Sequence, residues 1–196
     1  EPNVLHNNCS GKHAGMVAAA KHLGAPLETY LDPGHPIQRR NREILARFSG
    51  LRASALKCGV DGCGAPTFAV PVLALARAMA GFCGEEPGPR RITQAMMTHP
   101  GLIGRPCGEL MKSAPGKMVG KVGAEGVYIV GLPGAGVGLA IKVYDGSSRP
   151  IIHIVAALLR KLKLLPKADL ERVQAFADPV VKNHAGRVVG ELRVAV

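Results

Sequence analysis

The sequence predicts a layered α+β domain, in which helices come first, a β-meander follows, and a helix pair and a strand close the chain. Three observations lead there. Apolar residues recur at helical spacing through the first half of the chain. Residues 117–144 switch to β-rich runs separated by glycine turns. Residues 149–165 then return to a helical pattern whose first half is almost wholly apolar. The order is not a strict βαβ repeat, and no internal repeat or low-complexity tract interrupts it. With 196 residues and 47% hydrophobic content, one core and a single domain over 1–196 are expected. Aromatics make up only 4% and tryptophan is absent, while glycine supplies 25 residues, so small side chains must carry much of the packing.

Taken in order, an alanine-rich helix is expected over 12–23, ended by Gly24 and Pro26. Residues 29–36 read as a loop around the turn Asp32-Pro33-Gly34. Pro36 suits a first helical turn, and Ile37, Ile44, Leu45 and Phe48 form a one-sided stripe on a helix that Gly50 stops. The charged set Arg39, Arg40, Arg42, Glu43 and Arg47 falls on its solvated face. A short strand at 55–60 feeds directly into Asp61-Gly62-Cys63-Gly64-Ala65-Pro66, turn residues that hold a carboxylate and a thiol two positions apart. A helix follows at 70–82, with Leu75, Met79 and Phe82 on one side, then a loop at 83–89 and a helix at 90–98. Strands at 117–122, 126–130 and 137–144 make an antiparallel meander. Helices at 149–165 and 166–177 precede a strand at 186–196, with Val188, Leu192, Val194 and Val196 on one face and Val189 on the other.

Composition narrows the function. The longest apolar run, 151–159, falls well short of the ~20 residues a membrane span needs. No signal-peptide pattern is present, so a cytoplasmic location is expected. The net charge of +11 is spread over the chain, and its basic groups at Arg39-Arg40, Arg90-Arg91 and 160–163 lack the aromatic neighbours of a nucleic-acid surface. No nucleic-acid partner is expected. The five cysteines are odd in number, which argues against a disulfide framework and leaves metal ligation, reactivity and burial open.

Chemistry concentrates in three places. The opening motif Asn7-Asn8-Cys9-Ser10-Gly11-Lys12-His13-Ala14-Gly15-Met16 sets a thiol, a hydroxyl, an amine and an imidazole within five positions. Cys9 and Lys12 or His13 share a face if the turn tightens into the helix start. Joined in space to Asp61 and Cys63, these donors suit a borderline-soft metal such as zinc. The two thiols stand 54 residues apart without CxxC pairing, so inert cysteines remain an alternative. Lys121, between Gly120 and Gly123 at a strand end, can present charge to a carboxylate, act as a base, or be an ordinary surface lysine. The glycine-rich segment 131–138 reads as a hairpin connection, because a strand pattern follows it where a phosphate loop needs a helix. His6, His13 and the other histidines show no metal-binding pairing.

Together, Asn8-Cys9-Ser10-Gly11-Lys12-His13, the Asp61–Pro66 turn and Val119-Gly120-Lys121-Val122-Gly123-Ala124-Glu125-Gly126 resemble the Rhizobium-type (class 3, "asparaginase II") L-asparaginases, in order and separation. The resemblance implies a serine-β-lactamase-like fold, an antiparallel sheet flanked by helices, and hydrolysis of L-asparagine to aspartate and ammonia. It implies zinc as cofactor, with Cys9, Lys12 and Cys63 as ligands and Asp61 beside the metal, engaging the substrate through it. Lys121 would be the active-site lysine, and Cys107 falls where the family tends to carry a cysteine. The partner implied is a small-molecule amide, and a homodimer is the assembly considered. The family's SxxK nucleophile and second catalytic serine lie upstream of the Cys9 motif. The chain, which starts at Glu1 without a methionine, is therefore expected to be the C-terminal part of such an enzyme, with half an active site and negligible activity alone. The alternative is a non-catalytic zinc-binding or interaction module of the same fold.

Overall fold

The computed structural model describes Asn3, Asn7 and residues 9–196; His6 and Asn8 of the opening motif lie outside the described residues. The architecture is mixed α and β, with seven α-helices and small antiparallel sheets among the described residues. Contacts gather the chain into two compact units, Glu1–Pro71 and Val72–Val196.

The first unit holds α1 (Ser10–His22), α2 (Pro36–Ser49), a 3-10 turn at Ala53–Ala55, and the hairpin of β1 (Cys58–Val60) with β2 (Pro66–Phe68). Pro36 occupies the first turn of α2, and His35 caps it: Nδ1 accepts the Ile37 amide at 3.2 Å while Nε2 meets the Pro26 carbonyl at 2.8 Å. A carbonyl only accepts, so Nε2 carries the proton and Nδ1 offers the lone pair that capping requires. Gly50 ends the helix at φ 71°, the left-handed conformation that glycine adopts without steric cost.

The expected stripe on α2 needs correcting. Ile44 is 43% exposed, whereas Gln38 is buried beside Ile37. Its amide donates to the Tyr30 carbonyl at 2.7 Å and meets Met16 Sδ at 3.2 Å, so a polar residue pins the 29–36 loop onto the helix pair. The small core of this unit is Met16, Ile37 and Ala65, with Ala19, Tyr30, Leu31 and Cys63 packed against it.

The second unit is built on the three-stranded antiparallel sheet β3 (Val119–Val122), β4 (Val127–Leu132) and β5 (Val137–Lys142), in that spatial order. The expected meander is therefore present, and the glycine-rich segment between β4 and β5 is a hairpin connection, with Gly134 and Gly136 at positive φ. Alternation along β4 sends Tyr128, Val130 and Leu132 to one face, where they pack with α6 (Ile151–Lys161) and α7 (Lys167–Phe176). Ile129 points to the other face, toward Met79 and Cys83 of the α3 region (α3, Val72–Phe82) and Met96 and Met97 of α4 (Pro87–Thr98). Gly138 lets the α3 backbone lie directly on β5, since a Cβ there would overlap the Ala76 carbonyl.

Several details differ from expectation. Helix α4 starts at Pro87, which serves as an N-terminal proline and shortens the expected loop. A short helix α5 (Cys107–Ser113) and the strands β2 and β6 (Val180–Lys182) carry too little periodic signal to be read. The last strand is only β7 (Val188–Glu191), paired with β6 alone, and Val188 and Val189 are 60% and 59% exposed. A two-stranded ribbon has no sheet behind it to bury either face. Among the described residues, no helix is long and apolar enough to cross a membrane.

Candidate active site

In the first unit, the start of α1 and the tip of the β1–β2 hairpin meet. The Asn7 side chain accepts the Cys9 amide at 2.8 Å and its carbonyl accepts the Ser10 amide at 2.9 Å, which fixes the turn into α1. Cys9 thus precedes the first helical turn, and Lys12 lies one turn on. The opposing hairpin closes through Asp61, whose amide donates to the Ala65 carbonyl at 2.8 Å and whose carbonyl accepts the Gly64 amide at 2.8 Å. Gly64 adopts φ 83°, which a residue with a side chain resists, and this tight turn holds Asp61 and Cys63 at the tip. Across the gap, Lys12 Nζ donates to Asp61 Oδ2 at 3.0 Å, while Asp61 Oδ1 accepts the Gly62 amide at 2.7 Å. The Cys63 thiol lies within electrostatic reach of His13, Lys12 and Cys9. Four of the five residues that the sequence singled out, Cys9, Lys12, Asp61 and Cys63, are thereby brought into one cluster.

The electrostatics follow from these contacts. The Lys12 hydrogen bond, then the Gly62 amide, hold the Asp61 carboxyl below its ordinary pKa. Partial burial pulls the Lys12 ammonium down, but its hydrogen bonds to Asp61 and Cys63 outweigh this and leave its pKa raised. The His13 hydrogen bond, followed by the Ala65 amide, brings the Cys63 thiol down to about 7 against some desolvation. Lys12 is thus charged and Asp61 ionised across the neutral range, and the Cys63 thiol is more acidic than a free cysteine.

Whether these donors suit zinc can be judged from their chemistry. Among the described residues, no group of three or more His, Cys, Asp or Glu side chains is arranged to hold a metal ion. The expected ligand set contributes only Cys9 and Cys63 to such a count, with Lys12 as the third donor. Two thiols and an amine, from the start of α1 and the hairpin tip, are the right type for a borderline-soft ion. Their fit carries one condition: Lys12 holds a proton shared with Asp61, and that proton must leave before the amine can ligate.

Lys121 belongs to the second unit, on the edge strand β3. It is exposed, and its Nζ donates to the Val122 carbonyl at 2.9 Å. The strand beneath it is held closely. The Val122 amide donates to Cys107 Sγ at 3.1 Å, and a Cβ at Gly120 would stand 2.8 Å from the buried Tyr128 hydroxyl. Burial, and then the neighbouring Cys107, push the Tyr128 hydroxyl far above its ordinary pKa.

Two features escaped the sequence reading. His13 has no partner legible in the sequence, yet its Nδ1 lies 2.6 Å from the Tyr30 hydroxyl. The tetrad Ser54-Ala55-Leu56-Lys57 does have SxxK spacing. It straddles the end of the Ala53–Ala55 3-10 turn, with Leu56 already extended, so no helical face aligns the two side chains. Ser54 and Lys57 are exposed and not hydrogen-bonded to one another. All five cysteines are free thiols.

The family model described as L-asparaginase II matches residues 1–194 of the chain. A search of the curated proteins returns no match to this sequence.

Proposed function

The chain belongs to the L-asparaginase II family, and from that premise we propose that it serves an amidohydrolase reaction on the side-chain amide of L-asparagine. The observation that supports this reading is the convergence of Lys12, Asp61 and Cys63 at one hairpin tip. Asp61 is ionised and partly exposed, and it offers a carboxylate to the ammonium of an amino-acid substrate. Cys9, Lys12 and Cys63 are the residues that would hold zinc. A bound ion would supply a Lewis acid and a template for the substrate's oxygen atoms. Lys121 is assigned as the active-site lysine that takes a proton from a nucleophilic serine or steadies the developing charge. That serine would attack the amide carbon, ammonia would leave, and water would release aspartate from the acyl-enzyme.

The 196 residues supply the ligand side of this chemistry and Lys121. Because Ser54 and Lys57 form no pair, we expect negligible hydrolysis by this chain on its own. Ammonia release from L-asparagine by the purified chain is the measurement, beside the Lys121→Ala variant. Substantial activity that survives Lys121→Ala would overturn the assignment. The same lack of a formed Ser–Lys pair favours, as a second reading, a zinc-binding module without catalysis. Equilibrium dialysis with zinc distinguishes ligands from inert thiols: Cys9→Ala and Cys63→Ala should each abolish uptake, and unchanged uptake would leave the thiols structural.

A further inference from the structure

The second unit carries a groove that none of the candidate site residues lines. Its volume is about 400 Å³, and it lies between α6, the end of α7 and the segment 191–194 that leaves β7. Hydrogen bonds to the backbone build its frame. His153 of α6 donates from Nε2 to the Asp178 carbonyl at 3.0 Å, and the Asp178 carboxylate accepts the Val180 amide at 3.0 Å. The Leu192 amide donates to the Pro179 carbonyl at 2.8 Å. The entry to β6 is thus tied both to α6 and to the chain that leaves β7.

The lining divides into two kinds of chemistry. Ala157 and Ala177, both buried, and the half-buried Leu192 give apolar walls. The exposed lining residues carry the charge: Arg160 in the last turn of α6, and Arg193, which pairs with Glu191. The charges of that pair cancel. The Arg160 guanidinium makes no hydrogen bond or ion pair with any described residue, so one positive charge at the groove is left uncompensated.

Size and charge together define what fits. Small-molecule sites span about 300–1,000 Å³ and are mostly apolar, with a few polar groups that fix orientation. A guanidinium takes a carboxylate in a forked pair that is stronger than a neutral hydrogen bond. A neutral apolar molecule would leave Arg160 unused. A polyanion would meet only one free cation and would lose its water against alanine and leucine.

We propose that this groove binds a small monocarboxylate with an apolar body, its carboxylate on Arg160 and its hydrocarbon between Ala157, Ala177 and Leu192. The inference depends neither on zinc nor on the asparaginase reading. The test is a titration of the isotope-labelled full chain with hexanoate, followed by the amide signals in nuclear magnetic resonance. Saturable shifts are expected at 153–160 and 191–194. Hexanamide, the same body without the charge, should bind about 10–100-fold more weakly, and so should hexanoate to Arg160→Gln, an exposed substitution. Acetate, the charge without the body, should bind at least about tenfold more weakly. Lys161→Gln removes a neighbouring charge that does not line the groove, and it should change the affinity by less than about twofold. Absence of saturable shifts up to about 10 mM hexanoate overturns the inference. Equal binding of hexanamide or of acetate, or equal losses in Arg160→Gln and Lys161→Gln, overturns it as well.

Discussion

Removing the carboxylate of Asp169 should destabilise the second unit more than any other single loss of charge among the ion pairs of its described residues would. Asp169 lies in the first turn of α7 and its side chain is only 4% exposed, yet it accepts from two cations. Lys117 Nζ, on the segment that enters β3, bonds Oδ2 at 2.5 Å, and Arg172 one turn further along α7 bonds Oδ1. Arg172 Nε also donates to the Ser113 carbonyl at 3.0 Å, so the group joins α7 to the end of α5 and the start of β3. Breaking a buried pair by removing one partner costs about 3–5 kcal/mol when the other charge is stranded in the interior. Here the stranded groups are 45% and 52% exposed and can turn to water. Roughly half the penalty should therefore survive, and Asp169→Asn, which keeps the shape, should cost about 2 kcal/mol. For a chain of this size that lowers Tm by about 4–8 °C. Thermal unfolding followed by circular dichroism supplies the measurement, with Glu171→Gln as the control. Glu171 meets Lys167 at 4.0 Å on the surface of the same helix, and its loss should move Tm by no more than about 1–2 °C. Equal shifts for the two variants would refute the argument that burial of the acceptor decides the cost.

Two further outcomes are expected. The Gly62 amide, which donates to Asp61, should shift with a midpoint below the ordinary 3.8 in a pH titration by nuclear magnetic resonance, and Lys12→Met should move that midpoint upward. The sign follows from linkage: a lowered carboxylate pKa adds stability above the ordinary value that is lost as pH falls through the folded one, and a Gly62 midpoint unchanged by Lys12→Met would contradict it. Alkylation of the native chain followed by peptide mapping should label exposed Cys58 early and spare buried Cys83 and Cys107 until the chain unfolds. Burial pushes the Cys83 thiol up to about 11, so labelling of Cys83 at the rate of Cys58 would show that the α3–sheet contact opens readily.

What the sequence made legible was whatever could be settled over one or two turns of chain. Pro36 and Gly50 bracket α2, glycines mark the hairpins of the meander, and Asp61 and Cys63 fall in a turn whose geometry Gly64 dictates. The two halves of the candidate site could each be read for the same reason: Cys9 with Lys12 is one helical turn, and Asp61 with Cys63 is one hairpin tip. Their meeting is a long-range event, 49 residues apart along the chain, and no periodicity encodes it; only the resemblance to a family supplied it.

The features that escaped share a cause. Gln38 lies buried in a stripe where hydrophobic spacing called for an apolar residue, because its amide answers a carbonyl eight residues back. Lys117 and Asp169 are 52 residues apart, and Tyr30 reaches His13 across 17. Each is a polar contact between elements, where a charge or an amide is stable inside only because a distant partner satisfies it. A histidine without a neighbouring metal-binding motif therefore shows no role in the sequence, although the fold brings Tyr30 to it. Where a buried polar atom has no local partner, the sequence alone cannot name the residue that completes it. At His13 that residue is Tyr30, whose hydroxyl lies 2.6 Å from Nδ1 although it stands 17 positions along the chain.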